Sequence, residues 1–85
     1  MMDINYELYK VFYHVATTLN FSEASKQLFI SQSAVSQSIK TIERKLDQTL
    51  FIRSTKKVQL TPEGEILLRH IEPADNLIQK GEAQL

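Results

Sequence analysis

Apolar residues recur at Leu8, Val11, Phe12, Val15 and Leu19, the steps of three and four that lay one face of a helix against a core. The run predicts a first helix from Leu8 that stops near Leu19-Asn20. A second, short helix is expected from Ser22 to Leu28, with Ser22 as N-cap, Glu23 in its first turn, and Ala24 and Leu28 facing inward. Phe29-Ile30-Ser31 makes a brief junction. Ser31 then suits the N-cap of a third helix reaching Leu46, on which Val35, Ile39, Ile42 and Leu46 share one face. At about 100° per residue, Ser33, Ser36, Gln37, Lys40 and Arg44 fall on the side away from that stripe.

After Leu46 the period changes. Leu50-Phe51-Ile52-Arg53 and Val58-Gln59-Leu60 are two β-prone runs around Ser54-Thr55-Lys56-Lys57, which predicts a small hairpin with a basic tip. Thr61-Pro62-Glu63 combines an N-cap, a proline at the first helical position and an acid at the positive helix end, so a fourth helix begins there. Its apolar positions Ile66, Leu67, Ile71, Ala74, Leu77 and Ile78 form a stripe too long for a core this small to cover, which implies a partner helix. Pro73 is expected to kink or break this helix near Ile71-Glu72, leaving two segments.

Eighty-five residues allow one small domain. With 42% hydrophobic and 24% charged residues the chain has the composition of a folded protein, not of a disordered one. It has no cysteine, which excludes disulfides and thiolate metal sites and is compatible with a reducing compartment. The start Met1-Met2-Asp3-Ile4 lacks the pattern of a secretory leader, so a soluble cytoplasmic protein is expected. His14 and His70 stand far apart without clustered carboxylates, which makes a metal site improbable. No nucleophile elbow or glycine-rich phosphate loop is present. Neither an enzyme nor a cofactor is expected. Of the two glycines, Gly64 reads as a place for close helix packing. Phe12, Phe21, Phe29 and Phe51 read as core.

The net charge is zero, which alone argues weakly against a nucleic-acid partner. The charge is segregated, however. Between Ala24 and Thr61 the cations Lys26, Lys40, Arg44, Lys45, Arg53, Lys56 and Lys57 face only Glu43 and Asp47, and both flanks are acidic. Two short helices joined by a tight turn, the second with a face of Ser, Gln and Lys, match what reading a major groove requires. The groove is about 12 Å wide, and Gln pairs in bidentate fashion with an adenine edge. Gln32, Ser33, Ser36 and Gln37 are the candidate base readers. Ser31 and Lys40 are candidates for phosphate, and Lys56 and Lys57 at the hairpin tip for backbone or minor groove. Arg53 suits either a phosphate or an ion pair with Glu43. Lys26, Arg44 and Lys45 read as solvated or steering charges. The competing class is an interaction module in which the same face meets a protein.

The segments "LYKVFYHVA", "NFSEASKQLFISQSAVSQSIKTIERKL", "LFIR" and "VQLTPEGEILL" together resemble the N-terminal domain of LysR-type transcriptional regulators, over about Tyr6 to Leu68. The resemblance implies a mainly α winged helix-turn-helix, a three-helix core with a β-hairpin wing, followed by a long linker helix that pairs with its partner's in a homodimer. The winged domain would occupy 1–61, with the motif at 21–40, the recognition helix at 32–46 and the wing at 50–60, and the linker 62–85. The family's base-contacting positions fall on Gln32, Ser33, Ser36 and Gln37, and its partner is double-stranded DNA. Family members also carry a C-terminal effector-binding domain, which this chain stops short of, so a small-molecule effector would act only through that missing part. Three positions depart from the usual pattern. Ser33 stands where many members have Pro, Gln37 where Arg is frequent, and Asp47 where Gly is frequent; Asp tolerates a left-handed cap.

Overall fold

The computed structural model describes residues 3–85; Met1 and Met2, at the start of the segment read above for a leader, lie outside the described residues. The elements follow in the order α1 (Tyr6–Thr18), α2 (Phe21–Leu28), α3 (Gln32–Leu46), β1 (Phe51–Arg53), β2 (Val58–Leu60) and α4 (Pro62–Ala83). The three-helix core, the two-stranded wing and the long final helix are those of a winged helix-turn-helix.

Side-chain oxygens set the helix starts. Asn5 accepts from the Glu7 amide at 2.8 Å and Ser31 from the Ala34 amide at 3.1 Å. Asn20, not Ser22, caps α2, accepting from the Glu23 amide at 2.9 Å. Both residues are competent caps, and moving the start to Phe21 puts that ring on the core side. The three helices of the core all end on a residue in the left-handed region, Leu19 (φ 52°), Phe29 (φ 58°) and Asp47 (φ 53°). At Phe29 and Asp47 the following amide closes the turn, Ile30 to the Ser25 carbonyl at 3.1 Å and Gln48 to the Glu43 carbonyl at 3.0 Å. This is the arrangement that satisfies the last carbonyls of a helix, normally with glycine. Asp47 thus takes a left-handed cap, a conformation Asp tolerates.

The same geometry corrects two core assignments. Leu19 shares the apolar spacing of α1, but the cap turns it outward and it is half-exposed; Phe29, expected in the core, is 93% exposed. The core consists instead of Val11, Phe12, Val15 and Ala16 of α1, Phe21 and Ala24 of α2, Val35, Ile39 and Ile42 of α3, and Leu50 and Phe51. Phe12 and Phe21 both meet Phe51, with ring centroids 5.5 Å and 6.3 Å apart, so one ring from the wing joins α1 and α2. Leu46, expected inward, is only half-buried.

The wing is an antiparallel pair with Phe51 opposite Leu60 and Arg53 opposite Val58. Its tip is closed by Ser54, whose amide donates to the Lys57 carbonyl at 2.9 Å and whose hydroxyl accepts from the Lys57 amide at 3.2 Å. Thr61, buried, joins wing to α4. Its hydroxyl donates to the Thr49 carbonyl at 2.6 Å and accepts from the Gly64 amide at 3.0 Å.

Helix α4 runs unbroken from Pro62 to Ala83, through Pro73. The two-segment expectation is therefore corrected. Proline removes one amide from the ladder and leaves the Arg69 carbonyl without its helical donor, but Arg69 and Pro73 are both exposed, so water reaches that carbonyl. The apolar stripe also divides. Leu67 and Ile71, with Leu68, pack against the core, whereas Ile66, Leu77 and Ile78 remain 50%, 68% and 42% exposed. Near the N-terminus of α1, Tyr6 donates to Asp75 of α4 at 3.4 Å; partial desolvation, and then the Asp75 carboxylate, raise the tyrosine pKa above its ordinary value.

Candidate nucleic-acid interface

Because Val35, Ile39 and Ile42 are buried, the rotation of α3 about its axis is fixed, and Gln32, Ser33, Gln37 and Lys40 all stand exposed. Ser36, placed by the sequence reading on the side away from the stripe, is corrected: it is half-buried, because it stands only about 100° from the buried Val35 and so lies at the edge of the inward stripe rather than opposite it. Ser31, at the N-cap, is exposed and its hydroxyl lies 3.1 Å from that of Ser33, so the two form a small polar cluster at the start of the helix. Having serine rather than proline at 33 supplies this hydroxyl.

Two shallow grooves flank α3. One is lined by Leu8 of α1 and by Ala34, Gln37, Ser38, Lys40, Thr41 and Arg44 of α3. The other runs between the wing and the start of α2 and α3. It brings Gln32 together with Arg53, Lys56, Lys57, Asn20 and Ser22. All three basic residues of the wing are exposed. The domain therefore presents a polar helix face that ends at a cationic cleft, a surface with donors for base edges on one side and for phosphates on the other.

Arg53 is not paired with Glu43. The Glu43 carboxylate accepts instead from the amides of Leu50, at 2.7 Å, and Phe51, at 3.3 Å, tying the entry to β1 onto α3. The Arg53 guanidinium lies over the ring of Phe21, 3.9 Å from its centroid. Asn20 and Ser22 as lining residues, and Glu43 as a clamp, were not legible in the sequence. Their placement depends on elements far apart in the chain meeting, for which no local spacing carries a signal.

Neither histidine is grouped for metal binding. His14 Nδ1 is 2.7 Å from Gln27 Oε1, and His70 Nδ1 is 2.9 Å from its own helix's Ile66 carbonyl. Among the described residues no group of three or more His, Cys, Asp or Glu side chains stands together as a metal site. No described helix is long and apolar enough to cross a membrane.

Comparison with known proteins agrees with this geometry. Residues 6–65 match the family model described as "Bacterial regulatory helix-turn-helix protein, lysR family". The chain is 43% identical over 74 residues to the HTH-type transcriptional regulator PerR of Escherichia coli, covering 87% of this chain and 25% of that protein. It is 42% identical over 66 residues to the HTH-type transcriptional regulator HdfR of Yersinia enterocolitica, covering 78% of this chain and 22% of that one. The chain thus spans about a quarter of the length of these curated relatives. Among solved structures, a probable transcriptional regulator from Pseudomonas aeruginosa superposes with a TM-score of 0.87 at 28% identity, covering 92% of this chain and 26% of that chain. A crystal structure of a CbnR DBD–DNA complex superposes with a TM-score of 0.84 at 25% identity, covering 95% of this chain and 93% of that chain.

Proposed function

Since the chain belongs to the lysR family of bacterial regulatory helix-turn-helix proteins, we propose that it binds specific double-stranded DNA sites as part of a transcription regulator, inserting α3 into the major groove. Gln32, Ser33, Ser36 and Gln37 meet base edges, with the glutamines offering bidentate pairing to adenine. Ser36, half-buried, serves by its small size, which lets the helix approach. Ser31, Lys40, Arg53, Lys56 and Lys57 hold phosphates on either side and supply the sequence-independent attraction. The observation that carries this reading is the continuity of the exposed polar face of α3 with the cationic cleft at the wing. Its place of action would be the bacterial cytoplasm.

The test is a binding titration on duplexes enriched from a random-sequence pool. Gln37→Ala or Gln32→Ala is expected to relax the preference at one position of the site by about 1–3 kcal/mol, whereas Lys40→Ala weakens binding to all sequences and lowers the salt slope by about 1. Absence of salt-dependent binding to any duplex would turn the reading toward a protein partner.

Dimerisation through α4 belongs to the same proposal. Ile66, Leu77 and Ile78 remain exposed on a helix whose Leu67 and Ile71 already reach the core. Covering them by the equivalent helix of a second copy removes apolar surface from water without opening the domain. Leu77→Glu is expected to shift the chain toward monomer in sedimentation while the folded domain persists. An unchanged mass at the same concentration would exclude this helix as the contact.

A further inference from the structure

We propose that Phe21 is a positioning residue for Arg53, holding its guanidinium unneutralised at the wing cleft, aimed at a phosphodiester group of the DNA; this rests on the DNA-binding reading above. Three observations combine. The guanidinium lies 3.9 Å above the centre of the Phe21 ring. That ring is itself fixed: Phe21 is buried in the core and meets Phe51 edge-on at 6.3 Å. And Glu43, the acid that suits Arg53 by charge, is occupied by the Leu50 and Phe51 amides.

The chemistry of stacking gives these facts a direction. A carboxylate partner takes two of the five guanidinium N–H groups and cancels the charge. An aromatic face contacts only the π surface of the cation, so the donors, which lie in the guanidinium plane, stay available around its perimeter. Arg53 therefore keeps its full charge and a fixed orientation beside Gln32, Lys56 and Lys57 in the cleft. A planar fork of this kind matches the oxygens of a phosphate better than lysine does. Because the plane is set by a ring in the core, the entropy of ordering a long side chain is largely met before DNA arrives.

Two measurements separate this inference from the DNA reading beneath it. In the free chain, NMR is expected to show the Arg53 side-chain protons shifted upfield by the Phe21 ring current, and the shift is expected to vanish in Phe21→Leu. On a duplex enriched from a random pool, Arg53→Lys and Phe21→Leu are each expected to weaken binding about three- to tenfold. The double variant is expected to bind little worse than the weaker single one, because the two changes remove one shared interaction. Phe21→Tyr, which keeps the ring, is expected to retain most of the affinity. Should Phe21→Leu melt too low to titrate, Phe21→Met takes its place in the same cycle. Losses that multiply in the double variant, a ring-less variant that is folded and binds like the wild type, or the lack of a ring-current shift would each overturn the positioning role. A wild-type chain that binds no duplex would remove the DNA reading and the target assigned to Arg53 with it.

Discussion

Phe12→Ala is expected to lower the unfolding free energy by about 3–5 kcal/mol, a large share of the roughly 5–15 kcal/mol that holds a small domain together. The side chain is fully buried at the centre of the core and its ring lies 5.5 Å from that of Phe51. Removing it therefore loosens α1 from the wing as well as leaving a void. In a chain this short the surrounding helices have little other apolar surface with which to refill the space. A urea titration followed by helical circular dichroism would measure the change, and a midpoint equal to the wild type's would show that the contact between α1 and the wing is dispensable.

A second large effect is expected at Gly64, with a sign opposite to helix propensity. In an open helix, replacing Gly by Ala stabilises by up to about 1 kcal/mol. Here the added Cβ would collide with the backbone carbonyl oxygen of Leu50 and lie 2.8 Å from Leu60 Cδ2. The Leu50 carbonyl cannot yield cheaply, since it accepts the Thr61 amide at 3.0 Å at the point where the wing passes into α4. Gly64→Ala is expected to destabilise by at least about 1–3 kcal/mol. Gly81 is the internal control, because nothing lies within 4 Å of where its Cβ would be, so the same substitution there feels only propensity. Thermal melts of the two variants should move apart; a higher melting temperature for Gly64→Ala would contradict the close approach of α4 to Leu50.

The features legible in the sequence were those carried by local chemistry. Ser31 followed by Val35, Ile39 and Ile42 states both where α3 starts and which way it faces, and Thr61-Pro62 marks the start of α4 through a cap and a preset φ. Gly64 was legible as a packing position, though not its neighbour Leu50. Helix ends were harder. A leucine and a phenylalanine in left-handed caps run against ordinary preference, so the apolar spacing carried Leu19 and Phe29 into the core when their backbone turns them out. Arg53 was ambiguous because two candidate partners were equally plausible by charge and type. What removes the ion pair is that the backbone amides at the entry to β1 claim Glu43, and a contact between residues 21 and 53 leaves no trace in local spacing. The stripe of α4 was legible as longer than the core could cover, but which of its residues the core takes was not, since one apolar stripe on a helical wheel does not say which of its edges the parent domain covers.

Glu43 has a mechanical consequence. Its carboxylate grips the chain at the first residues of the hairpin while its own backbone belongs to the helix assigned to the groove. Any tilt or slide of that helix must therefore drag the hairpin along. Under the DNA-binding mode proposed above, with helix and hairpin on neighbouring stretches of a duplex, such coupling would make the domain a caliper with a fixed gap between its jaws, and a site whose local width did not suit that gap would be rejected by geometry even where every base was correct.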